Sequence, residues 1–155
     1  MKRSTLIALL VIAVAGLGGI LSTKIPFISK QLDGPKFCGS CHLMKPWVDT
    51  YSASDHKKYS TCGDCHIPHE VITGAFYKAY TGSRDTFDMI FNRIPDVIRI
   101  SDHGSKVVND NCLRCHTKIM ETVGFPKNDR GQNCYGCHQN LPHSKYWTIE
   151  QEGAK

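Results

Sequence analysis

The 155-residue sequence has no phosphate-cradling glycine loop and no clustered basic run, so its formal charge of +5 does not point to nucleic acid. It has no charged residue from Ser4 to Thr23. It has no cysteine that stands alone. All eight fall in four pairs: Cys38/Cys41, Cys62/Cys65, Cys112/Cys115 and Cys134/Cys137. It also has too little chain beyond its apolar start to build an ordinary core, because small domains are already marginal.

The cysteine pairs are what the sequence offers instead. Each has two residues between its members and is followed at once by a histidine: His42, His66, His116 and His138. That is C-x-x-C-H four times, the haem-attachment signature. Two thiols three positions apart sit on one helical turn, so both can add to the vinyl groups of one haem. The next residue then brings its imidazole under the iron. Two zinc sites of four cysteines each would not require a histidine after every pair. A disulfide framework does not use two-residue loops between paired cysteines. The expected cofactors are four covalently bound haem c groups, whose propionates are natural neighbours for the excess of lysine and arginine.

Haem attachment of this kind happens outside the cytoplasm, so the chain must be exported. Met1-Lys2-Arg3 is positive, and the uncharged stretch after it makes roughly 30 Å of helix, enough to cross a bilayer. The basic start places the N-terminus inside the cytoplasmic membrane and the haem region on its periplasmic side. Ala13-Val14-Ala15 would also fit a signal-peptide cleavage site, but the apolar run continues through Gly16-Leu17-Gly18-Gly19-Ile20-Leu21. The expected organisation is a cytoplasmic start and transmembrane anchor over 1–28 and an exported tetrahaem cytochrome c domain over 29–155.

Lys24 to Lys36 reads as a linker, with Pro26, Gly34 and Pro35 as breakers. The first two motifs start 24 residues apart and the last two 22 apart, with 50 residues from the second to the third. Two haem pairs follow, in the manner of a duplication. The expected fold class is mainly α with little regular structure: one N-terminal transmembrane helix, then a multihaem cytochrome c domain organised around four haems in two pairs. Helices are expected just after most motifs, with loops elsewhere and almost no strand. Val71 to Ile100 is the long stretch without a motif, and its aromatic residues alternate with charged ones. Gly82 and Pro95 are expected to break it into two helices. Its composition suits a helix at the membrane surface or one packed on haem faces.

Four histidines lie outside the motifs: His56, His69, His103 and His143. Two histidines for each haem is the simplest sum, and the sequence departs from it twice. His69 lies three residues past His66, on the same side of its own haem, and reads as a polar residue near a propionate. The first motif continues His42-Leu43-Met44, so Met44 competes with His42 for the first iron. A methionine alone would more often be a packing residue.

Several segments go beyond the motifs: Phe37-Cys38-Gly39-Ser40-Cys41-His42-Leu43-Met44-Lys45-Pro46, Gly63-Asp64-Cys65-His66-Ile67-Pro68-His69, Lys78 with Arg84-Asp85, Val108-Asn109-Asp110-Asn111-Cys112, and Leu141-Pro142-His143. With the apolar start and the motif intervals, they resemble the NapC/NirT family of membrane-anchored tetrahaem quinol dehydrogenases. The likeness covers nearly the whole chain and is strongest to the members that feed a nitrite reductase. It implies Met44, rather than His42, as the proximal ligand of the first haem. It implies His66 with His143 on the second haem and His116 with His56 on the third. His138 would hold the fourth, completed by a partner subunit or by His103, whose other reading is a solvent-exposed turn residue beside Gly104.

The resemblance also places Asp85 near an open face of the first haem with Lys78 beside it. A carboxylate there can accept a proton from a quinol hydroxyl. A lysine can orient the quinol oxygen and keep the carboxylate charged. Seven residues apart, the two share one side of a continuous helix; the alternative is a surface ion pair. The implied substrate is quinol, expected to be menaquinol. The implied partners are the membrane quinol pool, the lipid bilayer and the multihaem catalytic subunit of ammonia-forming nitrite reductase. Tyr146 and Trp147 of the tail would contact that subunit or stay free. Competing functions are a passive haem relay and a quinol dehydrogenase serving a nitrate or other oxyanion reductase.

Overall fold

The computed structural model describes residues 3–22, 25–95, 98–124, 133–138 and 141–143. The helices are α1 (Arg3–Ser22), α2 (Pro26–Leu32), α3 (Pro35–Cys38), α4 (Lys45–Ala53), α5 (Cys62–His66), α6 (Val71–Ile90), α7 (Asp102–Thr122) and α8 (Cys134–Cys137). Two 3₁₀ turns, His42–Met44 and Asp55–Lys58, join them, and no strand occurs among the described residues. Tyr146 and Trp147 lie outside the described residues, as do Met1 and Lys2.

No helix among the described residues is long and apolar enough to cross a membrane. The described side chains of α1 stop at Gly19, short of the end of the helix at Ser22. Its large apolar side chains, among them Leu6, Leu10, Ile12, Val14 and Leu17, are all exposed.

Local chemistry starts the helices, and in two places it overturns the sequence expectation. Pro26 and Pro35 open α2 and α3 instead of breaking the chain. Proline lacks the N–H that the first helical position would leave unpaired anyway, and its fixed φ suits that position. Gly82 does not interrupt α6, which runs unbroken from Val71 to Ile90. An isolated glycine costs a helix only about 1 kcal/mol. The stop comes at Asn92, whose φ of 51° is left-handed, just ahead of Pro95.

The motifs themselves are helical, so the helices do not simply follow them. The second motif forms α5, which begins with a reciprocal cap: Asp64 N–H donates to Thr61 Oγ1 and Thr61 N–H to the Asp64 carboxylate. The third motif lies in the second half of α7, and the fourth forms α8. In the first, Cys38 closes α3 and Cys41 lies in the bend before the first 3₁₀ turn.

Among the described residues only Tyr51 and Val107 are buried apolar side chains, and Asn109 and Asn111 are buried polar ones. A core this small leaves the helices to be joined by directed bonds. Asn111 Nδ2 donates to the carbonyls of Cys65 (2.9 Å) and Ile67 (3.0 Å), tying α7 to the end of the second motif. Asn109 Oδ1 accepts from Cys134 N–H at 3.0 Å, holding the start of the fourth. Tyr51 Oη donates to the Ser60 carbonyl, tying α4 to the approach to α5. Removing the Asn111 amide leaves two carbonyls without their donor. Asn111→Ala should therefore lower the unfolding free energy by about 2 kcal/mol, measured by urea denaturation of the haem-loaded protein.

Candidate haem sites and the inner face of helix α6

Six of the eight motif cysteines form a series that links the four motifs. The Cys38 thiol is electrostatically coupled to that of Cys62, and Cys112 to Cys134. Cys65 lies within electrostatic reach of Cys115 and Cys112. The first attachment site thus neighbours the second, the second the third, and the third the fourth. Cys38 is held down at about 7, first by the neighbouring Cys62 thiol and then by Lys78, against burial and Asp33.

Two pairs of imidazoles face each other. The ring centres of His66 and His143 are 6.1 Å apart, and those of His56 and His116 are 6.3 Å apart. Two imidazoles sharing one metal through bonds of about 2 Å place their centres about 6 Å apart, so both pairs have room for one iron between them. His56 Nδ1 is, among the described residues, a buried nitrogen with no hydrogen-bond partner, the kind of group whose cost a bound metal would remove. His143 is pushed down to about 4, by burial first and then by His66, with a backbone bond from Trp47 opposing. It is therefore neutral at neutral pH, as a metal ligand must be. Its Nδ1 lies 3.2 Å from Thr50 Oγ1, and Trp47 packs edge-on at 5.5 Å, which together fix the ring. His66 is exposed at the surface, yet the surrounding chain desolvates the ring and pushes it down as well. These residues fit haem.

The other sequence candidates fall elsewhere. His42 is exposed, and Met44 is half-buried in the first 3₁₀ turn. Neither His42 nor His138 belongs to the two facing pairs. His69 Nε2 lies 3.2 Å from the Asp64 carbonyl. His103 packs on Tyr77 with ring centres 5.3 Å apart, joining α7 to α6.

Lys78 and Asp85 share one side of α6, two turns apart, because the helix is continuous. The carboxylate bonded to Lys78 is Asp33, in the turn after α2, and not Asp85. Asp85 is exposed at the surface, yet partial desolvation by the surrounding chain raises its carboxyl above the usual range, with Arg84 opposing and Asp88 adding. Met89, one turn beyond Asp85, places its Sδ 3.5 Å from Cys41 Sγ. The last turns of α6 thus lie against the first attachment site. At 3.6 residues per turn, Lys78, Asp85 and Met89 fall within about 40° of one another. Ile72, Phe76, Tyr80 and Phe87 lie on roughly the opposite side, and they are exposed, as Asp85 and Met89 also are. Asp33 and Met89 were not among the sequence candidates. Nothing local marks them, since their contacts cross 45 and 48 residues of chain.

Four C-x-x-C-H attachment sites in series, with paired imidazoles between helices, define a multihaem c-type cytochrome. The NapC/NirT cytochrome c family, N-terminal region, matches residues 1–147, and the chain belongs to that family. It is 35% identical over 136 residues to the cytochrome c nitrite reductase subunit NrfH of Nitratidesulfovibrio vulgaris, covering 88% of this chain and 84% of that one. It is 28% identical over 150 residues to the cytochrome c-type protein NrfH of Wolinella succinogenes, covering 89% and 85%. Its fold matches the crystal structure of the cytochrome c nitrite reductase NrfHA complex bound to the HQNO inhibitor. That match has a TM-score of 0.70 and 31% identity over 92% of this chain and 95% of that one.

Proposed function

We propose that this chain is a membrane-anchored tetrahaem quinol dehydrogenase that oxidises quinol, expected to be menaquinol, and delivers the electrons to an exported reductase. The partner this reading favours is the multihaem catalytic subunit of nitrite reductase, as in the relatives' complex. The observation that carries the reading is the inner face of α6, which brings Asp85 and Lys78 to the side where Met89 meets Cys41 of the first motif.

Residues 1–28 form the anchor in this reading, and 29–155 the exported domain. The described side chains of α1 reach only Gly19, so the reading takes the whole uncharged stretch from Ser4 to Thr23 as the span; the large apolar side chains of α1 are exposed, as lipid contact requires. The basic start keeps the N-terminus in the cytoplasm. The outer stripe of α6 then lies at the membrane surface, which leaves the inner face to the site.

Cys38 and Cys41, Cys62 and Cys65, Cys112 and Cys115, and Cys134 and Cys137 hold the four haems. Met44 serves the first iron, His66 with His143 the second, His56 with His116 the third and His138 the fourth. Bound haem supplies one-electron redox chemistry. The side chains manage the protons: Asp85 takes the proton of a quinol hydroxyl, and the Lys78 ammonium donates a hydrogen bond to a quinol oxygen.

The test is anaerobic reduction of the haems of the detergent-purified, fully haem-loaded protein by a menaquinol analogue. Fast reduction is expected. Failure to reduce, while dithionite reduces all four haems, would make the chain a relay fed by another protein.

A further inference from the structure

Asp33 is the meeting point of three elements. It ends α2, where its N–H donates to the Ser29 carbonyl at 2.8 Å. Its own carbonyl accepts from Gly63 N–H of α5 at 3.1 Å. Its carboxylate accepts from the Ser29 hydroxyl at 3.1 Å and from the Lys78 ammonium of α6. A Cβ added at Gly63 would stand 2.5 Å from Asp33 Cβ, so the absence of a side chain at Gly63 is what lets the carboxylate sit there. The side chains of Lys78 and Asp33 are only 26% and 18% exposed. Fully exposed ion pairs contribute little, because water and side-chain freedom cancel them. This pair is largely withdrawn from water and held from the carboxylate side by a second donor. Both charges also lie within electrostatic reach of Cys38 in the first motif.

A lysine carries its charge on a flexible four-carbon stem, and its ammonium donates three hydrogen bonds. Bonding one of them to a fixed carboxylate aims the other two. We infer that Asp33 is a positioning residue of the quinol site: seated against Gly63 of the second motif, it fixes the Lys78 ammonium so that its remaining hydrogens meet a quinol oxygen. This rests on the reading of Lys78 given under the proposed function. Asp33 touches no substrate in this account and acts through Lys78 alone. The pairing also keeps that side of the site without net charge, which suits the approach of a neutral quinol.

The experiment measures kcat and KM for haem reduction by a menaquinol analogue in the haem-loaded, detergent-purified complex. The proteins compared are wild type, Asp33→Asn, Lys78→Gln and the double variant. Asp33→Asn should raise KM about tenfold, with a smaller fall in kcat, as expected when binding geometry is lost. Lys78→Gln should do the same, and the double variant should be no worse than Lys78→Gln alone, because the two residues act as one unit. Asp33→Glu should recover most of the affinity. Gly63→Ala keeps both charges but crowds the carboxylate, so it should raise KM in the same direction, and it carries the test if Asp33→Asn does not assemble.

Wild-type affinity in Asp33→Asn and Gly63→Ala, alongside a weakened Lys78→Gln, would overturn the proposal and leave the quinol site standing. Full additivity in the double variant would overturn it as well, since Asp33 would then act independently of Lys78. An unchanged Lys78→Gln would remove Lys78 from the quinol site, and the proposal with it.

Discussion

Asp85→Asn should slow haem reduction by a menaquinol analogue about 100- to 1,000-fold, the range for loss of a positioned general base. Dithionite should still reduce all four haems at the wild-type rate. The substitution keeps the size of the side chain and the helix and removes only the ability to take a proton. Partial desolvation raises Asp85 above the ordinary carboxylate range, with Arg84 opposing and Asp88 adding. A raised carboxylate holds an abstracted proton better than an ordinary one. The pH dependence follows with a definite sign. The wild-type rate should climb as pH rises through the displaced Asp85 value, and that acidic limb should be missing in Asp85→Asn. Stopped-flow reduction between about pH 4 and pH 8 reads both effects in one series. A flat wild-type profile, or a variant as fast as wild type, would remove Asp85 from the proton path.

His143→Ala should turn one low-spin haem into a high-spin one and cut the flow from quinol to the acceptor about 100-fold, at the upper end of the losses seen when metal-site support is removed. Electron paramagnetic resonance and steady-state nitrite reduction with the partner subunit measure the two effects. The argument rests on the 6.1 Å between the rings of His143 and His66, and on Thr50 and Trp47, which hold the ring. Thr50→Val removes only the contact at Nδ1, so it should shift the haem potential and leave all four haems coordinated. His69→Ala is the control. That imidazole lies against the Asp64 carbonyl, and its loss should leave the spin states unchanged. Acid acts on the same residue through folding. The unfolded chain takes a proton on His143 near pH 6.5, whereas the folded chain refuses it down to about 4. The stability due to this group is therefore present above that window and is lost as pH falls through it.

The four motifs were legible in the sequence, because attachment chemistry asks for cysteines at a spacing of three residues. The scarcity of buried side chains was legible for a related reason: about 30 residues for each motif cannot enclose a core, and Tyr51 and Val107 are the buried apolar residues among those described. The facing of His66 with His143 and of His56 with His116 had no local signal and entered only through resemblance. The partner of Lys78 was not legible at all. Lys78 and Asp85 suggested a pair by their proximity in sequence, while the bonded carboxylate lies 45 residues away in the turn after α2. Gly82 misled because its conformational cost is real but small beside the cooperativity of a 20-residue helix. Pro26 and Pro35 misled because proline stops a helix from within and starts one at its first turn.

The two buried asparagines of α7 bear on how divisible this molecule is. Motif spacing suggests two dihaem halves joined by a tether that could be lengthened or cut. Asn111 and Asn109 deny that, because one rigid helix grips the end of the second motif two residues from where it grips the start of the fourth. The 50 residues from the second motif to the third are not a tether either, since Met89 reaches back from them to Cys41. The halves defined by sequence are thus interleaved in space. Separating the halves would leave the carbonyls of Cys65 and Ile67 without the Asn111 amide, so neither half keeps by itself the bonds that fix the middle of the molecule.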